Sequence, residues 1–291
     1  MMDRKENILL LGAYGRLGSE LSLVLDKSHN VFKVGRNDEA EIYLEDITIL
    51  GLQTLLIKHK VTVVINLIAY TDVSGAEANP TEAFFSNAII PSFIKAAVQA
   101  INTDIYTLHL STDQLYSGYG DHRENQVLPC NTYSVSKYAG EICIAGNSNT
   151  GILRTNYFGL SPVAKYSSYL DWLVHAITNN ESINVYKNVV FSPVGCQILC
   201  SAILLIIQNR VCGVHNFGSE APLTKADFAD LVAAELGVVN PQFNYINYPE
   251  EMGVQRPLNM SMNSSKILAV IEIKRLTVRD DIQTELRELK L

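Results

Sequence analysis

The chain has only one tryptophan, Trp172, and five cysteines in 291 residues. Cys130, Cys143, Cys196, Cys200 and Cys212 are odd in number and scattered, which excludes a disulfide framework and fits a reducing compartment. Cys196 and Cys200 stand four apart, with Cys212 and His215 following, so four metal ligands can be counted there. Their flanks (Ile198, Leu199, Ile203, Leu204) read as a buried helix, so these are expected to be structural thiols and no metal is expected. A basic excess is also missing. The formal net charge is −7, which argues against a nucleic-acid partner. The most apolar run, Ile198 to Ile207, is too short to span a bilayer, and residues 1–6 are polar rather than an apolar signal region. A soluble cytoplasmic protein with no membrane partner is expected. Repeats, low-complexity segments and flexible linkers are absent too.

Apolar residues are abundant, at 47%, enough for one large core or two modest ones. The first half alternates short apolar runs with helical spacing. Strands are expected at Asn7–Leu11, Val31–Val34, Val61–Ile65, Asp104–Leu110 and Gly151–Arg154. Helices are expected at Gly15–Leu25, Gly51–Lys60, from Pro80 through Ala97, and around Tyr133. This alternation predicts βαβ units and a parallel sheet covered on both faces. The pattern loosens after residue 155. Helices are expected at Tyr166–Asn179, Gln197–Gln208, from a Thr224 cap to Leu236, and at Thr277–Leu289. Short strands are expected at Ile183–Tyr186 and Gly213–Phe217, and an ordered loop at Pro249–Asn259. The fold class is α/β, a Rossmann-type doubly wound parallel sheet followed by a smaller C-terminal α/β region. The expected domains are residues 1–155 and 156–291, partly interleaved.

Tyr133-Ser134-Val135-Ser136-Lys137 places a tyrosine and a lysine on one helix face. A free phenol, with a pKa near 10, is a poor acid-base catalyst at neutrality. A nearby ammonium favours the phenolate, and such a pair can pass a proton to or from a substrate oxygen. Alone, this spacing is common on surface helices. Its weight comes from the glycine-rich turn near the start of the chain and from the Ser111-Thr112-Asp113 step upstream.

Gly12-Ala13-Tyr14-Gly15-Arg16-Leu17-Gly18 lies between the first expected strand and helix, the context a dinucleotide fingerprint requires. Glycines allow a tight turn and close backbone approach, and the helix N-terminus offers N–H groups and partial positive charge to a pyrophosphate. The spacing is G-x-x-G-x-x-G. The second strand ends in Val34-Gly35-Arg36 with no acidic residue at its tip. An arginine there suits a 2′-phosphate, favouring NADPH over NADH, although Arg36 also reads as a solvated residue beside Asp38 and Glu39. Asp46-Ile47 reads either as an adenine contact or as the cap of the following helix.

Further segments carry a family resemblance. Asn66-Leu67-Ile68-Ala69-Tyr70-Thr71-Asp72-Val73 with Ala76-Glu77 resembles an N-x-x-A-Y-T-x-V…A-E motif, and Leu110–Tyr116 resembles S-T-D-x-V-F. Ile152–Tyr157 resembles I-L-R-T-x-W, and Arg256-Pro257-Leu258-Asn259 with Ser261 resembles R-P-x-N-S-x-L. Together with the glycine turn, these resemble the extended short-chain dehydrogenase/reductases, and within them the dTDP-4-dehydrorhamnose reductase group. The match covers nearly the whole chain in order. The resemblance implies that Tyr133 is the catalytic acid, that Lys137 holds the nicotinamide ribose and lowers the Tyr133 pKa, and that Thr112 hydrogen-bonds the reacting oxygen. It implies a cofactor site at Gly12, Gly15, Arg16, Leu17, Gly18, Arg36, Asp46, Ile47, Ala69, Tyr70 and Thr71 besides Tyr133 and Lys137. Thr112, Asp113, Tyr157 and Arg256 are implied to face a nucleotide-linked sugar. Homodimers are common in this group, and no interface stripe stands out here.

The chain departs from the pattern in two places. Tyr157 stands where the group usually has tryptophan, and Gly195-Cys196-Gln197 replaces polar or acidic residues at a helix start. Two other readings stay open. An epimerase or dehydratase with tightly held NAD is one, since Asp113 sits beside the Ser/Thr step. A dinucleotide-binding regulatory subunit is the other. His109 reads as a packed or hydrogen-bonded histidine, Tyr169 and Trp172 as packing or a pocket wall, Arg256 as a diphosphate ligand or an ion-pair partner, and Asp121–Glu124 as solvated surface.

Overall fold

The computed structural model describes residues 5–36, 40–43, 47–101, 104–146, 148–161, 168–249, 253–274 and 277–287. They form two compact units. The first comprises residues 1–112, 131–154 and 200–215, and the second 113–130, 155–199 and 216–291.

The first unit is built on β1 (Asn7–Leu11), α1 (Arg16–Leu25), β2 (Asn30–Gly35), β3 (Ile42–Tyr43), α2 (Ile49–Lys58) and β4 (Val63–Asn66). It continues through α3 (Val73–Ala78), α4 (Pro80–Phe84), a π-helical turn (Phe85–Ile89), α5 (Ile90–Ile101), β5 (Tyr106–Thr112), α6 (Thr132–Ile144) and β6 (Thr150–Thr155). Seven strands run in the order β11-β6-β5-β4-β1-β2-β3, β11 being Gly213–Phe217. The β3-β2-β1-β4-β5 pairings are all parallel. The strand order reverses between β1 and β4, and open α/β sheets bind ligands outside the carboxyl ends of strands at such a switch point.

Period-two alternation divides the apolar strand residues between the two faces. Leu9, Leu11 and Val64 pack with Leu52, Leu55 and Leu56 of α2 and Ile90, Ile94, Ala97 and Val98 of α5. Their neighbours Ile8, Leu10, Val63 and Ile65 are also fully buried, as a sheet covered on both sides requires. The helical run Pro80–Ile101 is long and apolar enough to cross a bilayer by length and composition. Its α5 part instead lays an apolar face on the sheet core. This run was expected as one uninterrupted helix, but the π-helical turn divides it.

The second unit contains β7 (Tyr157–Phe158), α7 (Tyr169–Thr178), β8 (Ile183–Tyr186), β9 (Val190–Phe191) and β10 (Val194–Gly195). After α8 (Cys196–Gln208) and β11 come β12 (Leu223–Thr224), α9 (Lys225–Glu235), β13 (Phe243–Ile246), β14 (Asn259–Met260), α10 (Ser265–Leu268) and α11 (Val278–Leu286). Its strands form the small sheets β10-β7, β12-β9-β14 and β13-β8. Phe228 of α9 centres the core, with Phe158 at 4.9 Å and Phe191 at 5.7 Å in edge-to-face contact, a favoured aromatic geometry. Ser168, Thr224 and Thr277 each begin a helix with a reciprocal capping box, which fixes where α7, α9 and α11 start. The early part of the helix expected from Tyr166 lies outside the described residues. Cys196 and Cys200 are buried, as expected for structural thiols, whereas Cys212 is exposed.

The Asp121–Glu124 loop is a solvated surface at Asp121 and Arg123, as expected, but not at His122. His122 is buried and stacks on Tyr116 at 5.1 Å. The segment after β14 lies along the loop, and the His122 backbone N–H donates to the Ser261 carbonyl at 3.0 Å. Glu124 accepts from the Asn216 N–H at 3.0 Å. Long-range pairing of this kind leaves no local trace in the sequence.

Candidate active site

The glycine turn links β1 to α1 in the first unit. Gly12 adopts φ +83°, and a Cβ there would lie 3.1 Å from the Leu67 carbonyl carbon. At Gly18 a Cβ would lie 2.3 Å from the Gly12 oxygen, so only glycine permits this seating of α1 against the turn. Gly15 is the N-cap of α1, is exposed, and caps no N–H with a side chain. The start of a helix is a place where backbone N–H groups and the helix dipole favour an anion. This geometry fits a dinucleotide pyrophosphate. Arg16 is half-buried, whereas the Leu17 side chain belongs to the core, so only Leu17 backbone can serve a ligand. Arg36 is exposed just beyond β2. Ile47 is buried in the sheet core, and Asp46 lies outside the described residues.

After β4, Ala69 and Tyr70 are half-buried and Thr71 is exposed. Asn87, in the π-helical turn, fastens this loop. The Tyr70 N–H donates to Asn87 Oδ1 at 2.8 Å, and Asn87 Nδ2 donates to the Tyr70 carbonyl at 3.1 Å. The same Nδ2 also donates to Ser136 Oγ of α6 at 2.9 Å. A π-turn is a frequent local device at functional sites. Sequence reasoning passed over Asn87 because helical spacing there continues unbroken.

Several contacts fix α6. Asn131 caps it through a capping box with Ser134. The Glu77 carboxylate receives the Thr132 N–H and hydroxyl, each at 2.7 Å, which places negative charge at the helix start and gives the Ala76-Glu77 step a structural role. Those two hydrogen bonds pull the Glu77 pKa below the usual carboxylate range. Near the other end, Glu141 meets Arg154 of β6 in a pair whose side chains are 3% and 2% exposed.

On the face between these anchors, Tyr133 and Lys137 are both buried. Lys137 Nζ donates to the Leu110 carbonyl at 2.8 Å, which ties the lysine to the end of β5, two residues before Thr112. Thr112 is also buried. Burial pulls the Lys137 pKa down to about 8, while Glu141 raises it. His109, on the same strand, is fully buried and takes a hydrogen-bond contact from Asn66 Nδ2 at its Nδ1, 3.0 Å away. Burial, followed by the Lys137 charge, holds the imidazole well below its ordinary pKa. It is therefore a neutral packed histidine.

The remaining candidates lie in the second unit. Asp113 is buried and accepts from Asn156 Nδ2 at 2.7 Å. Tyr157 is half-buried on β7. Exposed Arg256 lines a cavity of about 910 Å³, a size suited to a small-molecule ligand. Tyr169 and Trp172 of α7 form its wall, their rings stacked at 5.8 Å. Lys225, Tyr186 and Tyr248 complete its polar and aromatic lining and carried no signal in the sequence reading. Among the described residues no three His, Cys, Asp or Glu side chains gather as a metal site would need.

The model of the RmlD substrate binding domain family matches residues 6–291. The chain belongs to this family. It is 26% identical over 278 residues to the dTDP-4-dehydrorhamnose reductase of Shigella flexneri, covering 89% of this chain and 90% of that one. It is 25% identical over 238 residues to a probable low-salt glycan biosynthesis reductase of Haloferax volcanii, covering 78% and 79%. Among solved structures, the dTDP-4-dehydrorhamnose reductase of Bacillus anthracis in complex with NADP superposes with a TM-score of 0.86. It shares 20% identity over 98% of this chain and 99% of that one. The Rossmann-type α/β fold expected from the sequence is therefore shared with that structure.

Proposed function

We propose that this protein is an NAD(P)H-dependent reductase of a nucleotide-linked 4-keto-sugar, dTDP-4-dehydrorhamnose or a close analogue. The observation that carries the reading is the Lys137–Leu110 hydrogen bond. It locks the lysine of the Tyr133–Lys137 pair to the strand that ends in Thr112, so the three groups occupy one locality. NADPH, when bound, supplies the hydride. Gly12, Gly15 and Gly18 and the start of α1 would receive its pyrophosphate, Arg36 its 2′-phosphate, and Lys137 its nicotinamide ribose. Ala69, Tyr70 and Thr71 would border it.

As hydride reaches the carbonyl carbon, negative charge grows on the substrate oxygen. The Thr112 hydroxyl donates a hydrogen bond to that oxygen, and Tyr133 gives it a proton. The Lys137 ammonium favours the resulting phenolate. Asp113, Tyr157 and Arg256 would hold the nucleotide sugar. A cytoplasmic location is part of this reading, and the free cysteines are compatible with a reducing compartment. The test is to mix the protein with NADPH and dTDP-4-dehydrorhamnose and follow loss of reduced-nicotinamide absorbance. Oxidation by the wild type that disappears in Tyr133→Phe supports the reading. Bound NADPH with no oxidation would rule out this substrate.

A further inference from the structure

The second unit holds a cation that has neither an ion pair nor a hydrogen-bond acceptor among the described residues. Lys225, the first residue of α9, is half-buried and lines the cavity of about 910 Å³. Its ammonium lies 3.5 Å from the centre of the Phe191 ring and 4.4 Å from that of Tyr169. Ring faces attract a cation, but they satisfy none of its three N–H donors as an oxygen would. Among the described residues no carboxylate lies within 4.0 Å of this ammonium, and it donates no hydrogen bond. Asp113 acts on it only through the field, and the Asp113 carboxylate accepts from Asn156.

Desolvating an ammonium is costly unless it is paired. Among the described residues, the cavity lining contains a second cation, Arg256, and no acidic side chain. By contrast, a smaller cavity of about 390 Å³ in the same unit is lined by Asp230 and Tyr245 and, among the described residues, by no cation. We propose that the Lys225 ammonium is the receptor for an oxyanion carried by the ligand of the larger cavity, either a diphosphate oxygen of a nucleotide or a carboxylate on its sugar. Phe191 and Tyr169 hold the cation in place before the ligand arrives, which limits the ordering cost of binding. The inference deepens the reductase reading by assigning a specificity residue to its substrate, but its test requires no turnover.

Trp172 is the only tryptophan of the chain and stands in the cavity wall, so its emission reports on this cavity. The full chain, saturated with NADP+, is titrated with dTDP and separately with thymidine, UDP-glucose and UDP-glucuronate. Wild type is compared with Lys225→Met, Lys225→Gln and Lys225→Arg, and retained NADP+ binding shows that each variant is folded. If the anion is the diphosphate, dTDP weakens about tenfold or more in the Met and Gln variants. Thymidine is then unchanged and Arg restores binding. If it is a sugar carboxylate, dTDP and UDP-glucose are unchanged and only UDP-glucuronate weakens. The proposal is overturned if every ligand binds wild type and the neutral variants alike, or if none perturbs Trp172. Ligand binding that does not depend on Lys225, with keto-sugar reduction by the wild type observed, overturns this inference alone. Lys225-dependent binding with no keto-sugar reduction by the wild type would overturn the reductase reading alone.

Discussion

Glu141 of α6 grips Arg154 of β6 with two parallel hydrogen bonds, Arg154 Nε to Oε1 at 2.9 Å and Nη2 to Oε2 at 2.6 Å. Glu141 follows Lys137 by one helical turn, so the pair fixes the helix that carries the proposed acid. Removing one partner leaves the other charge buried and unpaired. Arg154→Met or Glu141→Gln should each lower unfolding free energy by about 3–5 kcal/mol. The Glu141→Leu/Arg154→Met double variant should lie nearer wild type than the sum of the two losses. Denaturant titration of all variants checks this, and additive losses would contradict it.

Gly140 sets the same helix by close approach, since a Cβ there would lie 1.9 Å from the Asn87 carbonyl oxygen. A helical Gly→Ala change ordinarily stabilises by about 1 kcal/mol. Gly140→Ala should instead lower Tm and weaken NADPH binding, because Asn87 also holds the Tyr70 loop. A raised Tm would contradict the packing argument.

Lys137 should give the protein a particular pH dependence. Its pKa falls from the ordinary 10.5 in the unfolded chain to about 8 in the folded one. The desolvation penalty is therefore fully present below about pH 8. Between about 8 and 10.5 the unfolded state holds more protons, so stability contributed by this group rises with pH. Activity should fall around pH 8, where the folded enzyme loses the ammonium. Lys137→Met should flatten the stability trend and reduce turnover about hundredfold or more. Paired denaturation and rate profiles against pH check both signs.

Arg36 stands exposed at the end of β2 and is assigned to the 2′-phosphate. Arg36→Ala should raise KM for NADPH about tenfold, the scale of one charge-assisted hydrogen bond, and leave KM for NADH unchanged. Equal effects on both cofactors would remove the assignment.

Local physics made the sheet and the glycine turn legible. The strand Val63–Asn66 is short, mostly β-branched and buried, and Gly12 and Gly18 announce a tight backbone approach. The Tyr133–Lys137 spacing likewise showed which side chains share a face. What the sequence hid depends on distant partners. Asn87 is an ordinary residue until the π-turn aims it at Tyr70 and Ser136. His122 reads as surface until Ser261 covers it. Lys225 reads as a charged helix start, and only the fold places it over Phe191 and Tyr169. The short strands of the second unit, such as Val190–Phe191 and Asn259–Met260, are two residues long, too brief for any period to register.

The most direct measurement follows the hydride itself. NADPH deuterated at the transferred position is incubated with dTDP-4-dehydrorhamnose and either wild type or Tyr133→Phe, and the sugar product is analysed by mass spectrometry and NMR. The account predicts one deuterium on the carbon of the former carbonyl with wild type, and almost none with the variant despite bound cofactor. Deuterium absent from the wild-type product, or equally abundant with Tyr133→Phe, would contradict it.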